Sequence, residues 1–170
     1  MPAPVFLSPT AVADVAVYFD PSNHQQWRNK LFEVEGNPFA GDNILAPFVA
    51  VYDQLTRLGL PVQTADFLPD RPDGRRHLLI SFGAPDRLVA DSVRRYLALA
   101  RRQDVMLSAF VALECPVVEP TMYEALPALQ ACFRRILSWS DTEALLPFTH
   151  SPVRVEHFCW PQSFTAVHAE

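Results

Sequence analysis

Basic charge is scarce in this chain, and lysine is almost absent. Lys30 is the only lysine among 14 basic residues, and 19 acidic residues bring the formal net charge to −5. Proteins that bind nucleic acids need a basic surface to displace counterions from phosphates. We therefore expect no nucleic-acid partner. With 49% hydrophobic and 19% charged residues, the composition is that of a globular domain rather than a disordered segment.

Cysteine is rare and is not arranged for metal binding. The three cysteines are far apart and form no Cys-x-x-Cys pair, and the five histidines lack the spacing of helical metal ligands: Cys115, Cys132, Cys159, His24, His77, His150, His157 and His168. An odd number of cysteines in apolar surroundings is typical of reduced thiols in the cytoplasm. We expect neither a metal site nor a disulfide framework.

Motifs that bind nucleotide phosphates or activate a serine are also missing. Gly36 and Gly41 have the glycine spacing of a P-loop, but Asp42 and Asn43 stand where lysine and a hydroxyl residue belong, and an acid repels phosphate. No Gly-x-Gly-x-x-Gly or Gly-x-Ser-x-Gly is present. The N-terminus lacks the features of a signal peptide, and no apolar run is long enough to span a bilayer. These absences predict a cytoplasmic protein with no bound cofactor and no membrane span.

One nearly continuous apolar run, Val105 to Leu113, dominates the chain. It is too short for a membrane helix and its only polar residue is Ser108, so it predicts a strand buried on both faces of a parallel sheet. The run ends at Glu114. Pro116 prevents a helix from beginning at once, so we expect Glu114 at the carboxyl end of the strand.

Strands and helices are predicted to alternate along the whole chain. The strands are predicted at 13–19, 62–66, 77–82, 105–113, 136–139 and 153–160. The helices are predicted at 44–58, 86–103 and 122–133, with a kink at Pro127 in the last of them and a short turn of helix after 141. Asp42 and Asp86 are expected to cap the first two helices, Gly59 to end the first, and Arg94-Arg95 to lie on the solvent face of the second. This alternation predicts a single α/β domain over residues 1–170, Rossmann-like, with a mostly parallel sheet flanked by helices.

The parallel sheet has a chemical consequence. Its strands' carboxyl ends lie along one edge, so the residues that follow the strands are expected to meet in one crevice: Asp20, Gly83, Glu114, Ser140, Asp141 and Trp160. Carboxylates beside aromatic rings suit a sugar, because the ring faces stack on aromatics while the hydroxyls need polar partners. The sequence thus favours a carbohydrate ligand.

Several segments of the chain match the pattern of a known enzyme family. The clearest are Leu113-Glu-Cys-Pro-Val-Val-Glu-Pro120, Phe133-Arg-Arg-Ile-Leu-Ser-Trp-Ser-Asp141 and Phe158-Cys-Trp-Pro-Gln162, and an earlier match is Gly41-Asp-Asn-Ile-Leu-Ala-Pro-Phe48. These segments resemble bacterial family 10 glycosyltransferases, the α-1,3/4-fucosyltransferases. The resemblance implies the N-terminal half of a GT-B enzyme. It also implies inverting transfer of fucose from GDP-fucose, the donor substrate, to a hydroxyl of an acceptor glycan.

The resemblance assigns the general base to Glu114, because the family's base is the Glu of a Glu-x-Pro element. A carboxylate at a crevice wall suits that role if partial burial raises its pKa. The residues alone leave open that Glu114 caps the next helix or pairs with an arginine. The family's donor site lies in a second domain with basic residues, so we expect this chain to be the acceptor-side half, completed by a separate donor-binding domain or a second copy of itself.

Other candidate site residues each have a structural alternative. Asn37, Asp42 and Asn43 are candidates for binding acceptor hydroxyls, although Asp42 is also explained as a helix cap. Trp139 and Trp160 are candidates for stacking on a sugar or for the core. Glu119 is either a second acid of the crevice or a solvated loop residue. A non-catalytic module that binds a glycan or a protein, or that forms a homodimer, stays open as the alternative function.

Overall fold

The structure, a computed structural model, describes residues 14–35, 37, 44–86 and 88–159. These residues form an α/β domain with one six-stranded, all-parallel sheet flanked by helices, a Rossmann-like arrangement. The predicted fold class is therefore confirmed. The strands are β1 (Val15–Pro21), β2 (Val62–Thr64), β3 (Arg76–Phe82), β4 (Val105–Ala112), β5 (Arg135–Ser138) and β6 (Glu156–His157). The helices are α1 (Ala46–Arg57), α2 (Val89–Leu99), α3 (Pro120–Glu124), α4 (Leu126–Gln130) and α5 (Thr142–Thr149), with 3₁₀ turns at His24–Gln26, Lys30–Phe32 and Ala65–Phe67.

The alternation of side chains along the strands divides the core into two layers. Val17 and Phe19 of β1 pack with Phe48 of α1, whereas Ala16 and Tyr18 belong to the layer that α2 to α5 cover. Successive side chains of a strand point to opposite faces, which explains this division. Strand β4 supplies buried residues to both layers, as its apolar run predicts.

The strand order β2-β1-β3-β4-β5-β6 reverses between β1 and β3. From β1 the chain moves outward to β2 on one side, and then returns to β3 on the other side, from where each later strand adds in sequence. The crevice at such a reversal, outside the carboxyl ends of the strands, is where open α/β sheets bind ligands. In this chain, the residues that follow β1 and β3 lie there.

Several predicted boundaries are wrong. Helix α2 begins at Val89, and Asp86 does not cap it; the N-cap residue is Leu88, which makes no side-chain capping bond. The helix predicted over 122–133 with a kink at Pro127 is divided into α3 and α4 at Ala125. Pro127 explains the division, because it has no N–H to donate to the carbonyl four residues earlier. The last strand is confined to β6, since it pairs only with Leu137 and Ser138 at the end of β5.

For helix α1, the structure tests the predicted end but not the predicted N-cap. Gly59 follows α1 with φ +82° and its N–H bonds to the Thr56 carbonyl, which confirms the predicted end of the helix. The cap predicted at Asp42 lies outside the described residues.

Candidate functional site

A buried carboxylate, Asp20, lies near the end of β1, next to the strand reversal. Residues 16, 18 and 20 point to the same face, so the Asp20 side chain reaches α2, which covers that face. Arg95 Nη2 donates to Asp20 Oδ2 at 2.6 Å, and the Tyr96 hydroxyl donates to the same oxygen at 2.8 Å. Asp20 and Tyr96 have no solvent exposure. A buried charge is tolerated when it is paired and hydrogen-bonded in this way.

Burial sets the protonation chemistry of this group. Loss of hydration raises the pKa of Asp20, while Arg95 and the Tyr96 hydroxyl lower it. The pKa of Tyr96 is raised well above its usual range, first by burial and then by the Asp20 charge. Ser81 Oγ lies 2.7 Å from the Tyr96 hydroxyl and links it to the end of β3. The network thus joins β1, β3 and α2 beneath the crevice.

Two polar atoms of this region make no hydrogen bond within the described part of the chain: Asp20 Oδ1 and Trp27 Nε1. The Trp27 N–H nevertheless lowers the pKa of Asp20, so the two groups are close. The His24 ring contacts the Trp27 ring at a tilt of 36°, with ring centroids 4.0 Å apart, and His24 Nε2 lies 3.4 Å from Asp86 Oδ1. The loop after β1 therefore covers Asp20 and connects it to the residues that follow β3.

The sequence did not identify Arg95 and Tyr96 as functional candidates, and it wrongly assigned Arg95 to the solvent face. The Arg95 side chain is 29% exposed, and it contacts Asp86 as well as Asp20, with Nε 3.5 Å from Asp86 Oδ2. One signal was available: an aspartate at the end of a buried strand needs a cationic partner. The sequence does not say which of 13 arginines that partner is.

A second pair of carboxylates, Glu114 and Glu119, follows β4. Glu114 is exposed, so it lacks the partial burial that the sequence argument set as a condition for a general base. Among the residues described, it forms no ion pair with an arginine, and it does not cap α3, whose N-cap residue is Glu119. Its backbone carbonyl accepts a hydrogen bond from the Tyr123 hydroxyl, which holds the turn against α3. Burial raises the pKa of Tyr123 to about 12.

Glu119 is the carboxylate of this pair that is partly buried. Burial raises its pKa, and the charge of Glu114 raises it further, so the two side chains are close enough to interact. Glu119, the residue before α3, is thus partly shielded from solvent rather than fully solvated. The half-buried carboxylate of the pair is therefore Glu119 and not Glu114.

A groove of about 850 Å³ between α2 and the α3–α4 pair joins the two acidic regions. Asp86 lines it at one side and Glu119 at the other, and its apolar wall includes Val89, Val93 and Ala125. Its size falls within the range of ligand pockets, which combine an apolar lining with a few polar groups. The groove can thus hold an apolar ring face while carboxylates accept hydrogen bonds from hydroxyls.

The remaining predicted residues lie elsewhere. Trp139 follows β5 with 49% of its surface exposed, so it is available for stacking. The Asn37 amide donates to the carbonyls of Lys30 and Glu33 at 2.7 and 2.9 Å, which gives it a structural role in the loop. Asp42, Asn43 and Trp160 lie outside the described residues.

Among the residues that the structure describes, no group of three or more His, Cys, Asp or Glu side chains is placed to hold a metal ion. No helix in this part of the chain has the length and apolar character that crossing a membrane requires.

Comparison of the chain with protein-family models, with curated proteins and with solved structures found no match in any of the three.

Proposed function

We propose that this domain is the acceptor-side half of a fucosyltransferase-like inverting glycosyltransferase, and that it binds an acceptor glycan along the groove between α2 and the α3–α4 pair. The observation that carries the proposal is the Glu114–Glu119 pair. One carboxylate is exposed at the end of β4, and the other is half-buried at the groove with a raised pKa. The residues Glu114-Cys-Pro that resemble the family's base element coincide with this position.

The two carboxylates have different roles in the proposed reaction. In an inverting transfer, the acceptor hydroxyl attacks the anomeric carbon as its proton moves to a base and the nucleotide diphosphate leaves. Glu114 is the base, because its exposed side chain is accessible to the attacking hydroxyl. Glu119 accepts a hydrogen bond from a neighbouring hydroxyl and orients the sugar. The hydrogen bond from Tyr123 to the Glu114 carbonyl holds the backbone that carries the base.

The departing diphosphate needs positive charge close by. The two arginines of α2 are engaged already: Arg95 with Asp20, and Arg94 with Asp91. In the proposed enzyme the charge comes from a separate donor-binding domain or from a second copy of this chain. GDP-fucose is then the donor substrate of the assembled enzyme.

A glycan array followed by calorimetric titration of the glycan with the strongest signal tests the proposal. Glu119→Gln should weaken binding about tenfold, because it removes an acceptor of charge-assisted hydrogen bonds. Glu114→Gln should bind within about twofold of the parent and, in any preparation that transfers fucose, should lower the rate by about a hundredfold. Glu143→Gln, at an exposed position in the first turn of α5, is the matched control and should leave both unchanged.

Two results would reject the proposal. Absence of binding to every glycan of the array would rule out an acceptor site. Tight, stoichiometric binding of GDP-fucose to the isolated chain would mean that it builds its own donor pocket, which contradicts an acceptor-side half. Loss of transfer in Glu119→Gln but not in Glu114→Gln would reverse the two roles.

An exposed apolar surface favours a second candidate, a module that binds a protein. Val117 and Val118, in the turn between Glu114 and Glu119, are 78% and 70% exposed. Adjacent exposed apolar side chains are typical of interaction sites. A molar mass from light scattering twice that of the chain, restored to the monomer value by Val118→Asp, would support a homodimer through this turn. If the chain is a monomer and binds no glycan, the remaining hypothesis is that this turn binds a different protein.

A further inference from the structure

Three side chains with acid–base and nucleophilic chemistry meet at the β6 edge of the sheet: Cys159, His157 and Asp141. Cys159 Sγ lies 3.5 Å from His157 Nε2, and His157 Nδ1 lies 3.7 Å from Asp141 Oδ1. His157 and Cys159 are two residues apart in an extended segment, so their side chains project to the same side. His157 pairs with Ser138, which brings it near Asp141, three residues further along. The backbone pairing of β5 and β6 therefore assembles the cluster.

The order of contacts is that of an activated nucleophile. A thiol reacts as its thiolate, and a neighbouring imidazole can take its proton while a carboxylate orients the ring. Asp141 on the Nδ1 side favours a proton on Nδ1, which leaves the Nε2 lone pair toward the Cys159 thiol. All three residues are exposed, with side-chain values of 57% for His157 and 84% for Asp141. Reagents in solution can therefore reach the sulfur.

The other two cysteines lack this arrangement. Cys132 is half-buried, donates to the Ala128 carbonyl at 3.5 Å, and has a pKa raised by burial. Cys115 is half-buried in the turn after β4, and within the described ranges it makes no hydrogen bond to a histidine. The reaction rates of Cys115 and Cys132 are therefore internal controls for the rate of Cys159, measured in the same molecule with the same reagent and buffer.

We propose that Cys159 is a site of thiol modification that takes low-molecular-weight disulfides and other soft electrophiles, with His157 as the proton acceptor and Asp141 as a positioning residue. In the exchange, Cys159 Sγ attacks one sulfur of the disulfide. A new S–S bond forms, the original S–S bond breaks, and the departing thiolate takes up the proton held by His157. The disulfide is the only oxidant that the step requires. This reactivity is independent of the proposed glycan site.

The test compares the three cysteines by peptide mass spectrometry. Oxidised glutathione should form its mixed disulfide first at Cys159, and iodoacetamide should alkylate Cys159 about tenfold faster than Cys132. His157→Gln, which keeps a polar side chain but cannot take a proton, should slow Cys159 at least about threefold and leave Cys115 and Cys132 unchanged. Asp141→Asn should slow it as well, and the conservative Asp141→Glu should restore most of the rate.

The unchanged rates of Cys115 and Cys132 confirm that each variant is folded, since both thiols are half-buried. Equal rates at Cys159 and Cys115 in the parent protein would overturn the proposal. A fast Cys159 that His157→Gln does not slow would also overturn it, because exposure alone would then account for the reactivity.

Discussion

Replacing Arg95 with methionine tests the buried network most directly. Methionine keeps much of the aliphatic length of the side chain but removes the charge that compensates Asp20. Asp20 has no side-chain exposure and Arg95 is 29% exposed. Removing one partner of a buried ion pair costs about 3–5 kcal/mol. Because the Tyr96 hydroxyl still donates to Asp20 and Arg95 is partly hydrated, we expect a loss of about 3 kcal/mol in the free energy of unfolding near neutral pH.

The loss should depend on pH with a defined sign. Burial raises the pKa of Asp20 in the folded protein, and Arg95 is the largest influence that lowers it. A raised folded-state pKa adds stability below the unfolded-state pKa, and this stability is lost as the pH rises through the folded value. Arg95→Met raises the folded pKa further, so the buried carboxyl takes up a proton as the pH falls. The unfolded-state pKa is the same for parent and variant, so the cost of the substitution should shrink as the pH falls through their two folded-state pKa values, toward about pH 4.

Urea unfolding monitored by tryptophan fluorescence, near neutral pH and at about pH 4.5, measures both effects. Arg94→Met is the matched control: it lies on the same helix, 77% exposed, and its ion pair is with Asp91. We expect it to cost no more than about 0.5 kcal/mol at either pH. The double variant Asp20→Asn/Arg95→Met should be more stable than Arg95→Met alone, since the amide is neutral. An equal loss for Arg95→Met and Arg94→Met, or a loss independent of pH, would refute the reasoning.

Two further substitutions test the sheet edge. A Cβ at Gly83, where φ is +92°, would lie 2.9 Å from the Ser22 Cβ. Gly74 is the control, because its φ is similar (+89°) but a Cβ there would meet no atom within 4 Å. Gly83→Ala should therefore lower the free energy of unfolding by at least about 1 kcal/mol more than Gly74→Ala does. Equal losses in urea unfolding would contradict this close approach. Burial and the Glu114 charge raise the pKa of Glu119, so the charged carboxylate costs stability near neutral pH. Glu119→Gln should therefore increase the free energy of unfolding there by up to about 0.5 kcal/mol. At about pH 4, where the parent carboxyl is mostly protonated, the substitution should change the stability little. Chemical unfolding at the two pH values checks this, and a gain at low pH alone would reverse the sign.

Local sequence patterns were sufficient to predict the strands of the sheet and the fold class. The apolar run that begins at Val105 is the strand β4, buried on both faces, and the alternation of strands and helices predicted the parallel α/β fold that the structure has. The bounds of the elements were less predictable. Pro127 divides the helix that it was predicted to kink, and β6 is shorter than the strand predicted over 153–160, because among the described residues only Glu156 and His157 pair with β5.

The candidate sites show the same difference between local and long-range information. Hydrophobic periodicity and the position of prolines were enough to locate Asp20 and Glu114 at strand ends, because burial and backbone restriction are encoded within a few residues. Strand order, crossovers and helix rotation are long-range properties, and they bring Arg95 to Asp20 across 75 residues. The same long-range properties explain why Glu119 is partly buried while Glu114 is exposed. They also bring together Cys159, His157 and Asp141, because β5 pairs with β6. These contacts depend on which strands are neighbours in the sheet. The sequence pattern within a single strand does not determine its neighbours, so only the tertiary structure shows these contacts.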